Sequence, residues 1–455
     1  MNLRKLLLAS LLTIGANFAY GQYISTSYFG PHSVANDGTV VGYKEWGGPY
    51  MLWHADTNEE EEIGGVAPGN NFGGLAVFSD DSNFISGTAF NNEQTPLAEP
   101  AYYNRTTKTW TTLGNFGGFS GSAAGGAFSI SGNGKTVTGN SYATGNNKAF
   151  GFAWSEKDGL TQLKTQLVNV NARGEDISKD GSTIVGWQEN EIGQWEAAVW
   201  HKNPYGKGYF MSLRLTIDPQ KSTEDISNRL GWAKTISGDG KWIGGNGNGY
   251  YPNAWIWNQE GGLVKMGTLT NDPGTTGYVT TMTYDGSVVY GYYITKQSIS
   301  DNPVYRPFIY TKEGGMKDLN EYVKNVLKFD TKGDKIYVPT KLSSDGKYLL
   351  GWGFNTDTYE KVTFRIQLKD NLSTDEIQSS PKATLYPNPV TNVLNIDAKQ
   401  QISSVSIYTL TGQQIFTKSF QTKSSTIDMS AYKAGVYIVE VNSNGKTQTY
   451  KVIKK

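Results

Sequence analysis

The chain of 455 residues contains no cysteine, which excludes disulfides and thiolate metal sites. Histidine is scarce as well. His32, His54 and His201 are the only three, and none has another histidine or an acid at metal-ligand spacing. Each is expected to be structural, and neither a metal nor a cofactor is expected. No nucleophile elbow, zinc-binding helix motif or phosphate loop occurs, so no residue is named as catalytic. No apolar run approaches the roughly 20 residues that span a bilayer, so no transmembrane segment is expected in the mature chain. The longest apolar run, residues 6–14, follows Arg4 and Lys5 and precedes the small residues Ala19 and Gly21. That is the pattern of a signal peptide over residues 1–21.

Glycine and aromatic side chains are abundant instead. With 54 Gly, 13% aromatic and only 18% charged residues, the composition is that of a β-rich, turn-rich protein. The net charge of zero conceals an asymmetry. From residue 384 onward eight Lys face three acidic residues, whereas the body between the signal peptide and residue 384 has 31 basic and 38 acidic ones. A mildly acidic body lacks the clustered Lys and Arg that a phosphate backbone requires, so nucleic acid is not an expected ligand.

The body repeats itself. A turn motif recurs as Asn36-Asp37-Gly38, Ser79-Asp80-Asp81-Ser82, Ser131-Gly132-Asn133-Gly134, Ser178-Lys179-Asp180-Gly181, Ser237-Gly238-Asp239-Gly240, Thr283-Tyr284-Asp285-Gly286 and Ser343-Ser344-Asp345-Gly346. A second glycine follows in each: Gly42, Gly87, Gly139, Gly186, Gly245, Gly291 and Gly351. Then come an aromatic strand such as Ala197-Ala198-Val199-Trp200 and a Gly-led strand such as Gly159-Leu160-Thr161-Gln162. Four strands at a period near 45 is the arithmetic of a propeller blade, and seven copies predict seven blades. The N-terminal strand near 23–28 is expected to close the ring by joining the last blade, around 348–368. Helical spacing of Leu319, Tyr322, Val323, Val326 and Leu327 predicts a short helix over 318–328. Glu59–Glu62 is expected to be a solvated loop, and Asp80-Asp81 a degenerate copy of the turn. Over residues 31–368 the pattern resembles the HAF repeat of extracellular bacterial proteins. That resemblance implies a secreted propeller with no defined activity.

The C-terminal segment has its own motifs. Short alternating runs (Val405, Ile407; Val436, Ile438; Tyr450, Val452) are separated by turn residues, as in a small β-sandwich. Tyr386-Pro387-Asn388-Pro389, the strand and turn ending at Gly412, Gly435-Val436-Tyr437-Ile438-Val439 and the basic end with Lys451 and Lys454 occur in order. Residues 383–455 thereby resemble the type A C-terminal sorting domain of the type IX secretion system of Bacteroidetes. The resemblance implies export through the periplasm to the cell surface or medium, with the translocon and a sortase as partners.

The resulting fold class is all-β: a signal peptide (1–21), a seven-bladed propeller (22–370), a polar linker (371–382) and a sandwich sorting domain (383–455). Loops between second and third strands should cluster on one face with the connections between blades. They carry an unusual content of aromatics and amides, from which Trp187, Glu189, Trp195, Asn246, Tyr250, Tyr251, Tyr292 and Trp352 are the candidate ligand-binding residues. Aromatic faces stack on sugars while amides and carboxylates bond hydroxyls, so a non-catalytic module binding a glycan or a surface protein is expected. The alternative is a carbohydrate-active enzyme, for which Glu175, Asp176, Glu189, Glu191 and Glu196 are the carboxylates to inspect.

Overall fold

The computed structural model describes residues 22–69, 73–91, 94, 96–121, 123–145, 148–295, 302–368, 383–409, 414–443 and 446–455. The expected signal peptide, the linker and Gly412 lie outside them. The chain divides into two compact units that part between Leu372 and Ser373.

Seven antiparallel sheets make the first unit a seven-bladed β-propeller. The innermost strands are Gly30–Val34 in blade one, Gly125–Ile130 in blade three, Ala172–Ile177 in blade four, Ala233–Ile236 in blade five, Thr275–Met282 in blade six and Asp334–Leu342 in blade seven. Tyr23–Ser27 pairs antiparallel with Glu360–Gln367, from Tyr23↔Ile366 to Ser27↔Val362. The N-terminal strand therefore closes the ring as the outermost strand of blade seven. Among the described residues blade two has three strands in place of the expected four, Phe84–Phe90, Ala98–Asn104 and Thr109–Thr112. Its innermost segment is held largely by hydroxyls. Ser86 Oγ accepts from Val77 N at 3.2 Å and donates to Leu75 O at 2.9 Å, and Thr88 Oγ1 accepts from Gly74 N at 2.6 Å. These side-chain bonds extend a ladder of two backbone bonds, Ser79 N to Phe84 O and Ser86 N to Val77 O (2.9 Å each), which make the bridge Phe78↔Ile85.

The turn motif has a physical reason. In blade four, Ser178 Oγ donates to Asp180 Oδ1 (2.7 Å) and accepts from Thr183 N (3.0 Å), and Asp180 Oδ1 also accepts from Ser182 N (2.9 Å). The same bonds recur at Ser131 and Asn133, at Ser237 and Asp239 and at Ser343 and Asp345. The turn glycines lie in the left-handed region, for example Gly181 at φ +74, and Ser82 adopts +60 in the degenerate copy. These carboxylates are turn-formers.

The second glycine faces a β-bulge. Pairing between first and second strands shifts register between Pro31 and Ser33, Gly174 and Asp176, Ala233 and Thr235, and Val279 and Thr281. A Cβ on Gly186 would run into the Arg173 carbonyl, and one on Gly291 into that of Tyr278. The bulge re-aims its extra residue: His32, Glu175, Lys234 and Thr280 in these four blades. Aromatic third strands fill the core, with Trp53, Trp200, Trp255, Phe152 and Phe308 fully buried.

The expected helix forms over Leu319–Asn325, capped by Asp318, whose side chain accepts from Glu321 N. The Glu59–Glu62 expectation is corrected. Glu59–Gly64 is the outermost strand of blade one, paired with Tyr50–His54. Four consecutive glutamates tolerate an edge position because Lys44 pairs with Glu60 and Lys108 with Glu61.

The second unit is one bent, sandwich-like sheet of five strands, Thr384–Tyr386, Val393–Thr409, Gln414–Asp428, Gly435–Ser443 and Lys446–Lys454. The second and third are long, and their pairing shifts register between Asp397 and Ile402, so one strand serves both halves of the sandwich. Val405, Ile407, Val439, Val441 and Val452 are buried in its core. The proline motif is stitched to the chain end: Ile453 N donates to Asn388 Oδ1 (2.9 Å) and Val390 N to Ile453 O (2.7 Å). Tyr386 OH donates to Asp397 Oδ2 (2.6 Å), and Tyr437 OH to Lys433 O (2.8 Å).

Candidate functional site

The propeller has two unlike faces. The Ser-x-Asp-Gly turns surround one mouth of the central channel, where a narrow cavity of about 80 Å³ receives Ser33, Val77, Ser129, Asp176, Thr235, Thr281 and Lys341 from the seven blades. Its polar groups are bonded to one another. Asp176 accepts from Ser129 Oγ (2.8 Å), Thr235 Oγ1 (2.9 Å) and Lys341 Nζ (3.2 Å), and Lys179 pairs with Asp80. A second cavity, about 240 Å³, opens on this face between blades four and five, where Leu213–Arg214 is the whole fourth strand of blade four. Trp242, Trp257, Leu213, Leu215 and His201 line it.

The opposite face holds the loops between second and third strands, and here the candidate aromatics form two groups. In blades four and five, Trp187 stacks on Trp195 at 4.3 Å between centroids, and Trp195 lies 4.8 Å from Trp232. Trp187 is buried and Trp195 is 44% exposed. In blades six and seven a longer row runs Tyr278, Tyr292, Tyr305, Tyr337, Trp352, Tyr28. Successive centroids are 4.8, 5.9, 5.0, 5.7 and 6.4 Å apart. Phe354 and Tyr359 extend it, and Lys361 Nζ lies 5.4 Å over Tyr28 and 5.8 Å over Trp352. Tyr28 is 40% and Tyr359 78% exposed. Burial pushes the hydroxyls of Tyr278, Tyr292 and Tyr305 above their ordinary range.

The other candidates separate. Glu189 is occupied: it accepts from Asn171 N (3.0 Å) and Asn171 Nδ2 (2.6 Å) and pairs with Lys148 at 3.1 Å. Asn246 is buried; its backbone oxygen accepts from Trp255 Nε1 (2.8 Å), and its Oδ1 has no partner among the described residues. Tyr250 is exposed. Tyr251 is half-buried against the hydrophobic core between blades four and five, and the backbone N–H groups of both bond Asn248 Oδ1.

The carboxylates inspected for acid–base chemistry are all engaged. Glu191 and Glu196 share Arg229, at 2.6 and 2.7 Å, and Arg214, at 3.0 Å each. Bonding to Arg229 holds Glu191 at about 2, although burial opposes it. Glu175, on a bulge, accepts from Arg173 Nε (2.6 Å), Lys234 Nζ (2.7 Å) and Trp187 Nε1 (3.1 Å). Burial pushes its carboxyl up, but the two cations outweigh burial and hold it at about 2. Among the described residues no group of three or more potential metal ligands converges.

Arg173, Trp232, Tyr278, Tyr305, Tyr337 and Tyr28 were not anticipated. A signal existed for three of them. Arg173, Trp232 and Tyr278 each stand five residues before the hydroxyl of the turn motif, Ser178, Ser237 and Thr283, and Arg173 and Tyr278 pair across the bulge with Trp187 and Tyr292.

The chain is thus a β-propeller with an aromatic loop face, followed by a small all-β unit. Residues 384–455 match the family model described as a secretion system C-terminal sorting domain, so the protein is exported to the cell surface or secreted. No curated protein matches the chain. Among solved structures it is similar to the β-propeller domain of the Trilobed protease from Pyrococcus furiosus, with 10% identity, a TM-score of 0.45, and 77% of this chain and 98% of that one covered. It is similar to TolB from Acinetobacter baumannii at 14% identity and a TM-score of 0.37. The alignment takes in 65% of this chain and spans 62% of that one, less than two thirds of its length. It is also similar to PorZ from Porphyromonas gingivalis, described as a surface component of the type IX secretion system, at 13% identity and a TM-score of 0.29, covering 94% of this chain and 75% of that one. The propeller assignment rests on the chain's own seven sheets. Among the described residues no helix is long and apolar enough to cross a membrane.

Proposed function

We propose that the exported propeller, with its HAF-like repeats, is a non-catalytic module that binds a glycan on its loop face. The observation that carries this reading is the six-ring row from Tyr278 to Tyr28, open to solvent at Tyr28 and extended by Tyr359. The inner rings stack on one another and are half-buried, so the row offers its edge and the exposed Tyr28 and Tyr359 to a chain molecule, and exposed apolar rings on a scaffolded face commonly mark a binding surface. Binding is favoured over hydrolysis because Glu175, Glu191 and Glu196 are each tied to cations and two of them are held at about 2. A general acid needs a carboxyl tuned toward the working pH instead.

Affinity electrophoresis of the full chain through gels containing separate polysaccharides tests this, with the gels afterwards stained for clearing. Retardation without clearing is expected. Clearing would make the protein an enzyme, and unretarded migration in every gel would leave a surface protein as the ligand.

A further inference from the structure

We propose that the loop side of the channel carries a subsite for an anionic sugar, with Lys234 and Arg173 supplying charge and the exposed edge of Trp195 an apolar contact. This rests on the glycan reading above and specifies the charge class of the ligand.

The charge balance comes first. Arg173 in blade four and Lys234 in blade five both pair with Glu175. Among the described residues the ion pairs of both cations end on that single carboxylate, so two positive charges face one negative charge. The side chain of Glu175 is fully buried, whereas those of Arg173 and Lys234 are 22% and 28% exposed. The carboxylate lies beneath and the cations lie toward solvent. Protonation cannot change this balance near neutral pH, since Glu175 is held at about 2. His32 adds no charge: burial, and then Lys234 itself, push its imidazole down to about 3.

The apolar contact lies beside the cations. Arg173 is the cross-strand partner of Trp187, and its guanidinium lies 4.2 Å over the Phe128 ring and 5.4 Å over that of Trp187. Trp187 in turn supports the exposed Trp195. Lys234 is two residues beyond Trp232, the third ring of the group. Trp187 and Trp232 cover the two faces of the Trp195 indole, so a pyranose packs its apolar face against the exposed edge of that ring, leaving its carboxylate or sulfate to the two cations. Hydrogen-bonding capacity is present as well. Trp232 Nε1 and Asn246 Oδ1 are buried without a partner among the described residues, and Asn246 N donates to Trp232 O at 3.0 Å, so the two residues are neighbours. Such orphaned groups are uncommon in folded proteins and suit sugar hydroxyls.

The test uses the full chain in affinity gels of two matched pairs: alginate and its propylene glycol ester, and κ-carrageenan and agarose. In the pair that binds, the anionic member should bind about tenfold more tightly, which corresponds to about 1.4 kcal/mol. Alginate would identify a carboxylate and carrageenan a sulfate as the group recognised. Lys234→Gln should weaken that binding about tenfold, and Trp195→Ala should weaken it severalfold. Glu175→Gln keeps an acceptor for Trp187 Nε1 while freeing a positive charge, so it should tighten binding severalfold. A merely structural ion pair would give loss in both Lys234→Gln and Glu175→Gln, and that outcome overturns the proposal. Equal retardation by charged and neutral members also overturns it but leaves glycan binding standing. Retardation by none of the four overturns both.

Discussion

Ser178→Ala tests the logic of the repeat. Ser178 is buried, donates to Asp180 and satisfies the Thr183 N–H. Alanine leaves that amide, in a buried residue, without a partner, which costs about 1–3 kcal/mol, and removes one donor from a carboxylate. The Asp180 bond from Ser182 N and the backbone bond from Ser178 N to Thr183 O (2.9 Å) survive, so a loss of about 2 kcal/mol is expected. At about 2 °C per kcal/mol, the lower end of the range for larger domains, the melting point should fall by about 4 °C. All 12 tryptophans precede the sorting domain, so tryptophan fluorescence in the intact chain reports the propeller alone. Asp180→Asn is the internal control. Asn133 already makes the same bonds in blade three, so this change should cost less than about 0.5 kcal/mol. If Ser178→Ala were as mild as Asp180→Asn, the hydroxyl would not be what holds the turn, and the reason given for its recurrence would be wrong.

Gly186→Ala places a Cβ against the Arg173 carbonyl and should cost at least about 2 kcal/mol, whereas Gly249→Ala, with open space around it and no left-handed φ, should be nearly neutral in the same unfolding assay. The folded pKa of Glu175 is depressed from an ordinary 4.5 to about 2, so its contribution is complete above about 4.5 and is lost as the pH falls toward 2. Acid unfolding of Glu175→Gln should therefore be less steep across that window than that of the wild type. Removing residues 22–27 takes the outermost strand from blade seven and exposes Glu360–Gln367 as an edge. The melting point should drop and aggregation rise, as read by light scattering.

Blade number and ring closure were legible in the sequence because the turn chemistry is local. A hydroxyl, a carboxylate or amide two residues on and a residue tolerating positive φ specify the hairpin wherever they occur. The edge position of Glu59–Glu62 was not legible, because the neutralising Lys108 comes from the next blade, 47 residues away. Trp187, Trp195, Tyr292 and Trp352 were legible as aromatics on the loop face. Trp232 was legible only through its place five residues before Ser237, while Tyr305 and Tyr337 meet the row across strands and blades, which no spacing in the sequence displays. The ion pairs that bind Glu175 and Glu196 also reach between blades, from Lys234 and Arg229, so inspecting the carboxylates alone could not reveal that they are occupied.

Hydroxyl-radical footprinting of the full chain, with and without a retarding polysaccharide, tests the loop-face claim most directly. Tyr28, Tyr359 and Trp195 are exposed rings of the two aromatic groups on the loop face, and Tyr284, 57% exposed, sits on the turn face. The account predicts that the polysaccharide protects Tyr28, Tyr359 and Trp195 from oxidation and leaves Tyr284 unchanged. Protection of Tyr284 with the loop-face rings still reactive would contradict it.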